Sequence, residues 1–157
     1  MPRFEVSTSI AAPPQRVFEL SLAVEVHTGS MAGSAERAVG GVTSGGLGLG
    51  DTVTWQARHF GLPWRMTSRI SALDEPGYFV DEQVRGPFRR WWHAHHFEPD
   101  GRGGTLMRDV VEFAAPLGPL GRVAEWVALD RYMRRLISTR NEHLKAVAEA
   151  GDGPGPG

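Results

Sequence analysis

Hydrophobic and polar positions alternate along most of this chain, except for helical spacing after Pro14 and beyond Gly121 and a glycine-rich stretch over 29–50 that is hard to read. Phe4-Glu5-Val6-Ser7-Thr8-Ser9-Ile10 alternates and is rich in β-branched residues, which predicts a strand. Ala12-Pro13-Pro14 ends it, and a proline just inside a helix start suits the next element, because its missing N–H had no partner there. Val17, Phe18, Leu20, Leu22, Val24 and Val26 then predict a short helical stretch, read as two helices broken near Ser21 and ending by Thr28-Gly29. A strand is expected over 37–42. From Asp51 onward the period is two again, predicting strands over 51–60, 64–73, 78–85, 88–98 and 104–114. They are separated by Gly61-Leu62-Pro63, Asp74-Glu75-Pro76-Gly77, Gly86-Pro87 and the run from Pro99 to Gly103, all with turn chemistry. Connections this short make hairpins, not parallel crossovers. Beyond Gly121, Val123, Trp126, Val127, Met133, Ile137, Leu144 and Val147 follow helical spacing and predict one long helix from about Arg122 to Ala148.

This order predicts an α+β domain: a curved antiparallel sheet of about six or seven strands wrapped around a long C-terminal helix, with two short helices after strand 1. Laying an amphipathic helix across the concave face buries both apolar surfaces, and a cavity remains where the helix does not fill the curve. Residues 1–149 read as a single ligand-binding domain, and the Gly/Pro-rich segment 150–157 as a disordered tail.

Composition narrows the function. The chain has 157 residues, 41% of them hydrophobic and 22% charged, the balance of a soluble globular domain. A net charge of −1 supplies no basic field for nucleic acid or an anionic membrane. The absence of cysteine excludes disulfides, thiolate nucleophiles and Cys-based metal sites. No secretory h-region and no run near the roughly 20 apolar residues of a membrane span is visible, so a cytoplasmic location is expected. Gly45-Gly46-Leu47-Gly48-Leu49-Gly50 invites comparison with a phosphate loop, but a strand follows it where such a loop needs a helix. No Gly-x-Ser-x-Gly elbow exists, which removes a serine hydrolase. No cofactor is expected.

The chemistry concentrates between Gly86 and Pro99. Period two sets Trp91, His93, His95 and Phe97 on one face, and Arg90, Trp92, Ala94, His96 and Glu98 on the other, which suits water. A hairpin turning at Asp100-Gly101 sets His93 opposite Asp109 and His95 opposite Met107. One turning at Gly86-Pro87 brings Gln83 near Trp91 and Asp81 near His93. The predicted cluster is Asp81, Gln83, His93, His95 and Asp109, walled by Trp91, Phe97 and Met107. His59 joins from a neighbouring strand, and Trp126 and Met133 close the space from the long helix. Three readings of the cluster stand side by side. The carboxylates hold the imidazoles as buried structural pairs; or the pairs anchor the polar end of a mostly apolar ligand; or an imidazole poised by a carboxylate is a general base, with His93, His95 and Asp109 as the catalytic candidates. Two imidazoles and a carboxylate are also a legitimate metal shell. Alternation alone puts His-x-His on one face of a strand, so no metal is expected.

Arg58-His59-Phe60-Gly61, the run from Phe79 to Phe88 with its Gly86-Pro87-Phe88 end, Trp91-x-His93-x-His95-x-Phe97, Gly104-Thr105-Leu106-Met107-Arg108-Asp109 and Pro116-Leu117-Gly118 carry a family likeness. In them the chain resembles the helix-grip superfamily of START lipid-transfer domains, Bet v 1 allergens and polyketide cyclase/dehydrase-like proteins (SRPBCC), and within it a bacterial subgroup of ligand-binding domains. The segment 27–50 is richer in glycine than the usual version. The resemblance implies an internal cavity for a small hydrophobic or amphipathic molecule such as a lipid, polyketide or aromatic metabolite. It also implies a rival, a cyclase or dehydratase using His93 or His95 as base, since such folds host carriers, sensors and enzymes. A third reading is an interaction module that forms a homodimer through its exposed sheet or long helix.

Overall fold

The computed structural model describes residues 3–31, 33, 35–59, 61–114 and 122–150, with only the backbone of 122–126. Short polar turns between alternating segments produce a seven-stranded antiparallel sheet in the order β1-β7-β6-β5-β4-β3-β2. Its strands are β1 (Arg3–Ile10), β2 (Arg37–Gly41), β3 (Thr52–His59), β4 (Leu62–Asp74), β5 (Tyr78–Arg85), β6 (Arg90–Pro99) and β7 (Thr105–Ala114). Register shifts at Ala38/Gly40, Thr67/Ser68 and Ile70/Ala72 add local twist and help to curve it. Helices α1 (Pro14–Ser21) and α2 (Val24–Ser30) follow β1, and α3 (Arg122–Ala150) ends the described chain. Pro13 caps α1 and Pro14 occupies its first turn, as the missing N–H of proline allows. This is the helix-grip architecture that the sequence predicts. Among the described residues no helix is long and apolar enough to cross a membrane.

Two apolar clusters fill the concave side. One contains Ile10, Val17, Phe18, Phe79, Phe97, Met107, Leu144 and Ala148. Within it Phe18 meets Phe79 and Phe97 edge-on, with ring centroids 5.8 and 5.6 Å away. The other contains Phe4, Phe88, Trp91, Val111, Phe113, Met133 and Ile137. The clusters are separated along three elements at once. On β6 the residues between Trp91 and Phe97 are the inward His93 and His95; on β7 Asp109 lies between Met107 and Val111; on α3 Arg140 and Asn141 lie between Ile137 and Leu144. A polar layer thus crosses the core.

Several expectations need correction. His93 lies opposite Val111 and His95 opposite Asp109, two residues from the expected pairing. The cause is the loop before β7. Asp100 Oδ1 accepts hydrogen bonds from the Arg102 and Gly104 backbone N–H groups, and Gly101 and Gly103 both take positive φ, making a wider turn than the two-residue one assumed. A shift of two keeps every side chain on its face. Phe97 and Met107 are packed into the first cluster and do not line the cavity described below. Val127 is 40% exposed and lies off the buried stripe of α3. Ala94, on the face assigned to water, is buried with Val80 and Val110 beside Tyr78 and Trp92. The Trp126 side chain and the tail after Ala150 lie outside the described residues.

Candidate functional site

Strand alternation delivers Asp81 from β5, His93 and His95 from β6 and Asp109 from β7 to the same concave surface, while α3 brings Arg140 and Asn141 down onto it. The hydrogen bonds run diagonally across the register. His93 is directly opposite Asp81 but donates from Nε2 to Asp109 Oδ1 at 2.7 Å. His95 is directly opposite Asp109 but donates from Nε2 to Asp81 Oδ2 at 2.6 Å. The two imidazoles stack, with centroids 3.8 Å apart, and Phe79 stacks on the other face of His95 at 4.0 Å. Asp109 is fully buried and also accepts from Arg140 at 3.2 Å and from Asn141 Nδ2 at 2.7 Å. The same Arg140 nitrogen donates to Asn141 Oδ1 at 3.1 Å.

Burial and charge act in opposite directions on these groups. Burial alone would raise the Asp109 carboxyl, but the His93 and His95 imidazoles and the Arg140 charge outweigh it and hold it well below the usual carboxylate range. Burial likewise opposes ionisation of Asp81, and the hydrogen bond from His95 with the neighbouring charges holds it down to about 2. His93 is lowered, first by burial and then by the charge of His95, against the pull of both carboxylates. A neutral His93 with Nε2–H on Asp109 leaves its Nδ1 as the basic atom, 3.8 Å from Asp81 Oδ2. His95 Nδ1 is buried without a hydrogen-bond partner among the described residues; Asp109 Oδ1 is 3.2 Å away but out of line.

A cavity of about 150 Å³ borders this cluster, lined chiefly by the sheet, α2 and α3. Its walls are mostly apolar and aromatic, including Val53, Trp55, Trp64, Met66, Ile70, Phe79, Phe88 and Trp91. Of the residues predicted from sequence, Asp81, His93, His95, His59, Trp91 and Met133 line it. The Asp81 carboxylate keeps 22% exposure, and that exposure is on the cavity side of the strand. Asp109 stands behind the imidazoles and fixes them without lining the space. Gln83 is a correction: its side-chain amide is spent on the Phe88 backbone, donating to the carbonyl at 2.7 Å and accepting from the N–H at 3.1 Å, so it braces the turn before β6. Sequence reasoning missed Arg140 and Asn141. Their signal is positional, since they continue the stripe of Met133, Ile137 and Leu144 at helical spacing while being polar. The predicted cluster lacks His27 and Glu36 as well. Both line the cavity, joined by a 2.5 Å hydrogen bond, and His27 lies against Trp55 with centroids 4.2 Å apart. Nothing in the pattern of the glycine-rich segment marks Glu36.

Asp81, His93 and His95 also bring three potential metal-binding atoms within 4.8 Å of one another. The donor set does not fit a metal well. An imidazole binds a metal in its ring plane, and two rings stacked 3.8 Å apart with planes only 25° from parallel share no nearby point that lies in both planes. Both Nε2 atoms already serve carboxylates, and the Arg140 guanidinium adds a positive charge to the same cluster.

Residues 1–149 match the family described as polyketide cyclase / dehydrase and lipid transport. No curated protein is a significant match to the sequence. Among solved structures, TTHA0849 from Thermus thermophilus superposes with a TM-score of 0.79 at 18% identity, covering 97% of this chain and 100% of that one. The Zhui aromatase/cyclase from Streptomyces sp. R1128 has a TM-score of 0.79 at 15% identity, covering 99% and 98%. The major latex-like protein 151 of Panax ginseng has a TM-score of 0.63 at 15% identity, covering 94% and 97%. At these identities the likeness is one of fold.

Proposed function

Because the chain belongs to the polyketide cyclase / dehydrase and lipid transport family, we propose that it binds a small hydrophobic or amphipathic molecule between the sheet and α3. The polar group of that molecule lies against Asp81, His93, His95 and Arg140, and its apolar body against Trp91, Phe88 and Met133. The observation that carries this reading is the polar layer itself. Burying ionised groups costs several kcal/mol each, and apolar residues of similar volume are often at least as stabilising. A charged cluster kept in the core, on the wall of an otherwise apolar cavity, supports a role in orienting a ligand. Native mass spectrometry and thermal shift across fatty acids, phenols and hydroxylated polycyclic compounds test it. Uptake of at least one class, with a raised melting temperature, is expected; no uptake by any class removes the reading.

A second reading is favoured by one feature of His93. Its Nε2–H is fixed on Asp109, burial keeps the ring neutral, and the remaining Nδ1 belongs to a residue lining the cavity. This is the arrangement of a general base oriented by a carboxylate, as in a cyclase or dehydratase acting on an acidic C–H or hydroxyl. Turnover of a polyketide-like substrate that persists undiminished in a folded His93→Gln/His95→Gln variant excludes it.

A further inference from the structure

The far end of the cavity carries a second set of polar side chains that the cluster around Asp81 does not use. His27 from α2 and Glu36 before β2 line the space and bond to each other at 2.5 Å. His59 at the end of β3 lines it as well, and its Nδ1 is held by the Tyr132 hydroxyl on α3 at 2.5 Å. His27, Glu36 and His59 thus face one cavity, and the charge of Glu36 favours the protonated forms of both His59 and Tyr132. Each pair fixes one atom of each ring or carboxylate and leaves another for a ligand. Among the described residues no hydrogen bond reaches Glu36 Oε2, His27 Nδ1 or His59 Nε2, and none of these atoms is sealed away from accessible space.

The fold gives the spacing from Asp81 to the ring on which His27 packs, and from Arg140 to the Tyr132 that holds His59. On β4, Met66 is level with Trp55, the ring against which His27 packs, and Ile70 is level with Asp81. Four residues of strand span roughly 13 Å. On α3, Tyr132 holds His59 and Arg140 meets the Asp109 cluster. Eight residues of helix span roughly 12 Å. Between these ends the wall is apolar, with Val53, Met66, Trp64, Phe88 and Trp91.

We propose that His27, Glu36 and His59 form a second polar subsite, so that the ligand carries a hydrogen-bond donor at each end of a rigid apolar body of about two rings. Tyr132 is a positioning residue, acting through His59. The far group is a hydroxyl and not a carboxylate, because a second anion beside Glu36 would be repelled. This inference rests on the cavity-binding reading and goes further by fixing the polarity pattern of what is bound.

The test uses 4-hydroxybiphenyl, 4,4′-dihydroxybiphenyl and biphenyl-4,4′-dicarboxylate, which must put an anion at both ends, titrated against the intact chain by tryptophan fluorescence. The dihydroxy compound should bind at least tenfold tighter than the monohydroxy one, the effect of one hydrogen bond to a charged group, and the dicarboxylate should bind more weakly than both. Glu36→Gln/His59→Phe should bring the tenfold ratio to near one. A wild-type ratio near one, a dicarboxylate that binds best, or a ratio that survives in the variant overturns the subsite while the cavity reading stands. If none of the three compounds binds, the biphenyl-sized cavity fails and the subsite fails with it. The wild-type comparison decides the matter even if the variant does not fold.

Discussion

Asp109→Asn isolates the electrostatic part of the buried layer, because the amide keeps the shape of the carboxylate and loses its charge. In the wild type Asp109 accepts from His93 at 2.7 Å, Arg140 at 3.2 Å and Asn141 at 2.7 Å, with no exposed surface. The substitution leaves the Arg140 guanidinium buried without its counter-ion and turns an N–H₂ group towards donors. Removing one partner of a buried ion pair costs about 3–5 kcal/mol, and an unsatisfied buried donor costs about 1–3 kcal/mol. These terms share atoms and do not add, so we expect a loss of about 4 kcal/mol. That is a large part of the roughly 5–15 kcal/mol that stabilises a domain, and at roughly 2–4 °C per kcal/mol the melting temperature falls by about 8–16 °C. Urea unfolding followed by tryptophan fluorescence measures it. Asp109→Asn/Arg140→Met removes both charges and should be more stable than Asp109→Asn alone by about 1–3 kcal/mol. A single variant that loses less than about 1 kcal/mol, or a double variant as damaged as the sum of the two singles, refutes the coupled network.

Acid should weaken the fold in two stages. His93 is lowered in the folded state, so its contribution is complete above the ordinary imidazole value of about 6.5 and is lost as pH falls through that region. Asp81 and Asp109 are lowered too, so theirs is present above about pH 4 and is lost below it, towards about 2 for Asp81. A urea midpoint that stays flat from pH 7 to pH 4 contradicts this assignment. Tyr132→Phe should cost about 1 kcal/mol by releasing His59, measured in the same way. Gly41→Ala should cost about 1–3 kcal/mol, since φ is +67° there and an added Cβ would overlap the Thr52 carbonyl oxygen; a neutral result would mean that the turn relaxes freely. Zinc at equimolar concentration should leave the melting temperature unchanged, because the stacked imidazoles do not converge on a metal.

The alternation of β6 was enough to place Trp91, His93, His95 and Phe97 on one side, because period two is a property of the strand itself. Which partner each meets depends on the turn. Asp100, Gly101 and Gly103 make a wider loop than the two-residue reading allows, and His93 therefore reaches Asp109 across a diagonal. A side chain's face also does not say whether it meets a void or a neighbour. Phe97 and Met107 point inward like Trp91, yet α1 and the end of α3 pack over them. Arg140 escaped notice because a charge beside Glu142 and Lys145 reads as solvated until Asp109 is seen beneath it. Glu36 and His27 were illegible for another reason: their meeting depends on the path of a glycine-rich segment that has no period to read.

The central claim is that a ligand occupies the space beside the stacked imidazoles, and imidazole ¹⁵N chemical shifts observe it directly. With 4-hydroxybiphenyl added, His93 and His95 should shift saturably and together, while His96, on the opposite face of β6, stays in place. A titration that moves His96 and leaves His93 and His95 unchanged would contradict the account.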